Sequence, residues 1–135
     1  MKPVLFLLSF LVSNAASPQG VSTPEKGSEE RQAILDAARM KVATDLSYRG
    51  AIRFRVDHLT VYQGWALLHG QPVTPAGVPI RKKCLEADDI TAVLLHQRDG
   101  VWRVERGGTT CATDVFWLGW QEELDAPRQL FQISD

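Results

Sequence analysis

Residue types that build catalytic and metal sites are sparse in this sequence. It has 3 His and 2 Cys among 135 residues. The histidines, His58, His69 and His96, are too widely spaced to bind a metal from one strand or helix. No G-x-S-x-G or S-x-x-K motif marks a serine nucleophile. These absences disfavour an enzyme without excluding one, and they give no reason to expect a metal or a cofactor.

An excess of one charge is also missing. The chain has 15 Lys and Arg against 16 Asp and Glu, a formal net charge of -1, so nothing points to a nucleic-acid partner. After Val12 no apolar run approaches the roughly 18 residues of a membrane helix. We therefore expect no membrane span once the N-terminal segment is removed.

That segment, residues 1–16, has the pattern of a secretory signal peptide. Lys2 precedes an apolar run from Val4 to Val12, which is followed by the small-residue sequence Ser13-Asn14-Ala15-Ala16. Cleavage there would place the protein in the periplasm or the medium, an oxidising compartment. In the alternative, the signal stays uncleaved and anchors the domain.

The rest of the chain predicts a leader and one domain. Residues 17–28 are rich in Ser, Pro, Gly and Thr, which predicts a flexible leader. Residues 29–135 form the single predicted domain, because roughly 120 mature residues suit one core. The 44% hydrophobic content is sufficient for that core.

The clearest helix begins at Glu29. Its apolar residues recur at the three- and four-residue spacings of one helical stripe, and they are Ile34, Leu35, Ala38, Val42 and Leu46. Ser28 is placed to cap the N-terminus. Arg31, Arg39 and Lys41 lie off the stripe and are interpreted as a solvated face.

After Gly50 the hydrophobic pattern changes to the alternation of strands. Residues 51–62 and 65–70 predict a hairpin that turns at Gln63-Gly64, and residues 90–97 and 101–106 predict a second hairpin. One helix followed by two hairpins indicates an α+β fold, with the helix packed on a four-stranded antiparallel sheet. Cystatin-like and NTF2-like folds share this layering, an analogy that carries no function.

Two glycine- and proline-containing segments are expected to interrupt the sheet. Gln71 to Pro79 has three prolines and predicts a surface loop outside the strands. Gly107-Gly108 is expected to end the last strand. A short helical turn is expected through 115–118, followed by a C-terminal segment that Pro127 begins.

The two cysteines flank the second hairpin. Cys84 precedes it and Cys111 follows it, so a disulfide between them would close its open end and contribute about 3 to 4 kcal/mol. A free thiol at Cys84, activated by the preceding Arg81-Lys82-Lys83, is the alternative. That cationic run is otherwise interpreted as solubilising its loop.

Two arrangements keep catalysis open. His69 and His96 would converge if the second and third strands are neighbours, and Asp57 or Asp114 would then orient one of them as a general base. The acidic group at 86–89 could divide acid and base roles between two carboxylates. A solvated loop explains that group equally well.

The segment 115–120, VFWLGW, is the densest apolar cluster. We interpret it first as core. If it is exposed, Trp117 and Trp120 become anchors for a partner, since tryptophan is frequent in interface hot spots. With Val73 and Val78 of the proline-rich loop, they are the candidate binding residues.

Several segments resemble a family of small exported bacterial proteins of unknown function. They are RQAILDAAR at 31–39, FRVDHL at 54–59, GWA at 64–66, VWRV at 101–104 and TDV at 113–115. The resemblance implies a bacterial, periplasmic protein and carries over no catalytic residue.

The sequence therefore favours a secreted or periplasmic, non-enzymatic binding domain, such as an inhibitor or an envelope accessory factor with a protein partner in the cell envelope. A small hydrolase or isomerase with a pocket between helix and sheet is the second hypothesis. A domain that assembles with copies of itself through a sheet edge is the third.

Overall fold

The computed structural model describes residues 20–132, and the predicted signal peptide lies outside this range. Helix α1 spans Glu29–Leu46 and begins as predicted, because Ser28 Oγ accepts a hydrogen bond from the Arg31 N–H at 3.2 Å. It ends at Ser47, which has a left-handed φ of 48°. Three residues of the predicted stripe, Ile34, Ala38 and Val42, are fully buried.

The four strands form one antiparallel sheet in the order β1-β2-β3-β4. They are β1 Arg53–Tyr62, β2 Trp65–Val73, β3 Asp88–Arg98 and β4 Val101–Ala112. Positive φ angles at Gln63 and Gly64, 46° and 79°, form the turn between β1 and β2, and Asp99 and Gly100 form the corresponding turn between β3 and β4. The predicted α+β fold, with one N-terminal helix and two hairpins, is confirmed.

The predicted surface loop at Gln71 to Pro79 is wrong in its first part. Strand β2 continues through Pro72, which pairs with Phe54. The pairing of β2 with β3 ends two residues earlier, at Gly70 and Thr91, so no β3 carbonyl requires the N–H that proline lacks. The Pro72 carbonyl instead accepts from the Ile80 N–H at 2.9 Å, and residues 74–79 make a tight turn.

The predicted end of β4 at Gly107-Gly108 is also wrong. The strand passes through both glycines and continues to Ala112. Their φ angles are 96° and 141°, a region that glycine enters without penalty. They follow a β-bulge, since Leu94 pairs with Arg106 while Leu95 pairs with Val104. Here the glycines bend the strand without ending it.

Both faces of the sheet are covered. Helix α1 packs on one face, around a core that includes Leu59, Leu68 and Val93. The chain after β4 packs on the other, in a 3-10 turn at Phe116–Gly119, a short helix α2 at Trp120–Glu123 and a second 3-10 turn at Arg128–Phe131. The expected helical turn near 115–118 is thus present, one residue later. Within residues 20–132, no helix is long and apolar enough to span a membrane.

The described part of the leader contacts the sheet. Ser22 pairs with Val61 on the outer edge of β1 through backbone hydrogen bonds of 2.9 and 2.7 Å, and Pro24 is buried. The flexible leader at 17–28 stays a prediction; its composition does not indicate this contact, because a strand edge far along the chain supplies the partner.

The predicted disulfide is present between Cys84 and Cys111, whose Cα atoms are 5.6 Å apart. Cys111 lies in β4 opposite Asp89 of β3. The bridge therefore ties the connection before β3 to the C-terminal end of β4, at the open end of the second hairpin. The alternative of a free thiol at Cys84 does not apply to this structure.

Candidate ligand-binding cleft

Three of the four candidate binding residues are buried. Trp117, Trp120 and Val73 are 4%, 5% and 8% exposed, whereas Val78 is 58% exposed. The 3-10 turn and α2 direct both tryptophans onto the sheet, so the core interpretation of the 115–120 cluster applies to them. As binding residues, Trp117, Trp120, Val73 and Val78 stay a prediction, and of the four Val78 alone has an exposed side chain.

A cleft of about 380 Å³ opens along the outer edge of β4. Four parts of the chain meet there, namely the C-terminal half of α1, the loop that carries Lys82, the strand from Arg106 to Thr110, and the segment that carries Phe116 and Trp120. The volume lies within the usual range for small-molecule sites. The side chains with charge or aromatic rings that line it are Lys41, Asp45, Lys82, Arg106, Phe116 and Trp120.

Asp45 closes one side of the cleft. Its Oδ1 is 2.5 Å from Lys41 Nζ, and its Oδ2 accepts a hydrogen bond from the Thr109 N–H at 3.0 Å. The missing side chain of Gly108 makes room for this contact, since a Cβ there would overlap the Asp45 carboxylate. Each oxygen of the carboxylate thus has one protein donor.

Lys82 is held at the cleft through its backbone. Its N–H donates to Asp89 Oδ2 at 3.0 Å, and the Asp89 side chain is only 7% exposed. Two residues further on, the disulfide fixes Cys84 to β4. Asp89 also pairs with Arg81 at 3.2 Å. Asp89 is therefore occupied in holding the loop, whereas Glu86 and Asp88 of the same acidic group are exposed.

Arg106 forms an ion pair with Glu123 of α2. Both side chains are substantially exposed, at 42% and 57%, so the pair contributes little to stability and can exchange partners. Around the cleft, three cations therefore face one carboxylate that is already bonded. The electrostatic balance of the lining is positive.

The histidines do not converge as the catalytic hypothesis requires. His96 lies opposite Trp65 and stacks on it, with ring centroids 3.9 Å apart. His69 lies four residues further along β2, roughly 13 Å away, and stacks on Trp117 at 4.8 Å. Within residues 20–132, neither histidine has a hydrogen bond or an ion pair with Asp114.

His69 has a distinctive environment even so. Burial, the largest effect, lowers its pKa below the ordinary 6.5, while the charge of Asp57 raises it and that of His58 lowers it. The His58 ring is 6.1 Å from the His69 ring and nearly parallel to it. The rings of His58, His69 and Trp117 thus form a row where the C-terminal segment packs on the sheet.

Comparisons with known proteins give no relative to compare with this site. No protein-family model matches the chain. Neither the curated proteins nor the solved structures contain a match. The cleft is therefore interpreted from its own residues.

The sequence analysis did not identify this cleft. The sequence predicts a solvated face for Lys41 and a solubilising role for Lys82, and it singles out neither Asp45 nor Arg106. One local signal was available, since a glycine pair directly after a cation in a strand pattern indicates close approach by another part of the chain. Which part approaches depends on the fold.

Proposed function

We propose that the protein is an exported, non-enzymatic binding domain that takes a small ligand in the cleft beside β4. The cleft is the observation that supports this proposal. It is concave, it combines charged and aromatic side chains, and it lies among four segments of the chain that are each fixed to the sheet. Binding sites with these properties need little rearrangement to accept a ligand.

Export to the periplasm or the medium is part of the same proposal. The signal-like residues 1–16 motivate it. The disulfide between Cys84 and Cys111 is compatible with an oxidising compartment. Mass spectrometry of the protein purified from whole bacterial cells tests this part, and intact Met1 with two free thiols would contradict it.

The chemistry of the lining favours binding over catalysis. The cleft is lined by ammonium, guanidinium and aromatic groups, and its carboxylate, on Asp45, already accepts from Lys41 and Thr109. A general base needs a lone pair that can reach a substrate proton. The residues around this cleft therefore suit holding a ligand better than taking a proton from it.

Edge-to-edge assembly receives less support from the strand edges. Ser22 bonds the outer edge of β1 at Val61, and Asp45 bonds the outer edge of β4 at Thr109. Each contact occupies hydrogen-bonding groups that an added strand would use. The cleft therefore remains the better-supported recognition site.

A fragment screen monitored by amide NMR tests the proposed site. We expect bound fragments to shift the amide signals of residues 106–110. Thr110→Trp would fill the cleft from its exposed rim and abolish those shifts. Thr113→Trp, also exposed but outside the lining, is the matched control and should leave them unchanged. Fragments that shift only signals elsewhere, or none, would contradict the proposal.

A protein partner in the cell envelope is the second candidate, and the tight turn at 74–79 is the observation that favours it. Val78 is 58% exposed at a turn held by the Thr74 N–H to Val78 carbonyl bond of 2.8 Å. An exposed apolar side chain on a rigid turn suits recognition. Periplasmic pull-downs with wild type and Val78→Asp test it, and identical bound proteins in both would remove this turn from the proposal.

A further inference from the structure

The charges that line the cleft differ in how far they are already satisfied. Asp45 and Lys41 neutralise one another at 2.5 Å, and the Thr109 N–H takes the second carboxylate oxygen. Arg106 has Glu123 as its partner, but that carboxylate is 57% exposed and is weakly held. Lys82 has no ion-pair partner within residues 20–132. Two cations are therefore open to a ligand.

Lys82 is fixed in place more firmly than an ordinary surface lysine. The backbone bond to Asp89 and the nearby disulfide restrain the chain on both sides of it. A restrained backbone reduces the chain entropy that is lost when a ligand binds. The structure thus anchors the backbone of Lys82 at the cleft.

The remaining wall of the cleft is aromatic. Phe116 and Trp120 meet edge to face with their centroids 5.6 Å apart. Gly107 lets the Trp120 ring reach the strand, because a Cβ at that position would overlap the ring. Phe116 is half-buried, so part of its ring faces the cleft. This wall suits an apolar or aromatic group.

We propose that the ligand is a small organic anion, whose charged group binds Lys82 and Arg106 and whose apolar part lies against Phe116 and Trp120. This inference rests on the proposed function and names the chemical class of its ligand. A carboxylate, a sulfonate or a phosphate ester meets the description equally, since each offers oxygen acceptors to the two cations. The volume of about 380 Å³ limits the ligand to small-molecule size.

A matched pair of fluorescent probes tests the inference. Anilinonaphthalene sulfonate carries an aromatic body and a sulfonate, and N-phenylnaphthylamine has the same body without the charge. We expect the sulfonate to bind more tightly than the neutral probe by about tenfold, the scale of one charge-assisted hydrogen bond. Added salt should weaken the binding of the sulfonate probe and leave the binding of the neutral probe unchanged.

Two double variants test which cations give the preference for the sulfonate probe. Lys82→Gln combined with Arg106→Gln should remove the preference for the sulfonate. Lys83→Gln combined with Arg103→Gln changes neighbouring exposed cations outside the lining, and it should keep that preference. All four positions are exposed, and amide NMR spectra of each variant verify the fold.

The outcomes separate this inference from the proposed function. Sulfonate binding that shifts the Gly107 and Gly108 amides and depends on Lys82 and Arg106 supports the inference. Equal binding of both probes in the cleft overturns it and leaves the cleft as a binding site. Binding of neither probe there also overturns it, and the fragment screen then decides separately whether the cleft binds anything.

Discussion

The Oδ2 atom of Asp45 accepts a hydrogen bond from the backbone N–H of Thr109 at 3.0 Å, across 64 residues of sequence. The bond fastens the last turn of α1 to the outer edge of β4. Thr109 is 3% exposed, and its Oγ1 also bonds Thr91 at 2.7 Å. The edge N–H would otherwise be buried without an acceptor, which makes Asp45 a link between helix, sheet and cleft.

Asp45→Ala should therefore destabilise the protein by about 1 to 3 kcal/mol, because the Thr109 N–H loses its acceptor. Asp45→Asn keeps an acceptor and should recover part of the loss. Asp36→Ala is the control, since its ion pair with Arg39 lies on the exposed face of α1 with Asp36 63% exposed. Urea unfolding measures all three. A loss for Asp45→Ala no larger than that for Asp36→Ala would show that the contact contributes nothing.

Gly108→Ala should be more destabilising than an ordinary glycine substitution. It combines a φ of 141° with overlap of the new Cβ and the Asp45 carboxylate. Gly77→Ala separates the two causes, because Gly77 has a φ of 85° and open space around its Cβ position. We expect a cost of about 1 to 2 kcal/mol for Gly77→Ala and a larger cost for Gly108→Ala. Equal unfolding free energies would show that Asp45 moves aside freely.

Local patterns were sufficient to predict the elements that depend on neighbouring residues. The stripe of Ile34, Ala38 and Val42 with the Ser28 cap predicted α1, because period and capping are properties of a few adjacent residues. The turn at Gln63-Gly64 was predicted for the same reason. Alternating strands with two hairpins then allowed few arrangements other than an antiparallel sheet.

The errors arose where a distant residue decides the outcome. Pro72 remains in β2 because the pairing of β3 with β2 ends at Thr91. The residues near Pro72 in the sequence do not indicate where that pairing ends. Strand β4 continues through Gly108, and the Asp45 carboxylate of α1 occupies the space where a side chain at that position would lie. The cleft is the extreme case, since Lys41, Lys82, Arg106 and Trp120 come from four separate segments. The positions of charged residues and glycines in the sequence do not predict that these four segments meet, because the strand order and the helix position decide it.

Removal of the disulfide by Cys84→Ser with Cys111→Ser should cost about 3 to 4 kcal/mol of unfolding free energy, from the loop that a sequence separation of 27 closes. It should also weaken sulfonate binding in the cleft, because the chain that carries Lys82 loses one restraint. Reductant should reproduce both effects in the wild type and change nothing in the double variant. Undiminished stability in the double variant would show that the bridge does not constrain the unfolded chain as expected.

Stability should fall in mild acid because of His69. Its pKa is lowered in the folded protein, chiefly by burial next to Trp117, so the unfolded chain binds the proton more readily. The contribution of His69 to stability is therefore complete above the ordinary 6.5 and is lost as the pH falls through the lowered pKa. His69→Gln cannot take up this proton and should lose less stability than the wild type between about pH 8 and about pH 5. His96→Gln, which removes the histidine that stacks on Trp65, keeps His69 and should show the same loss of stability to acid through His69 as the wild type. Urea unfolding at both pH values measures the difference, and an identical loss in wild type and His69→Gln would assign the acid sensitivity to other groups.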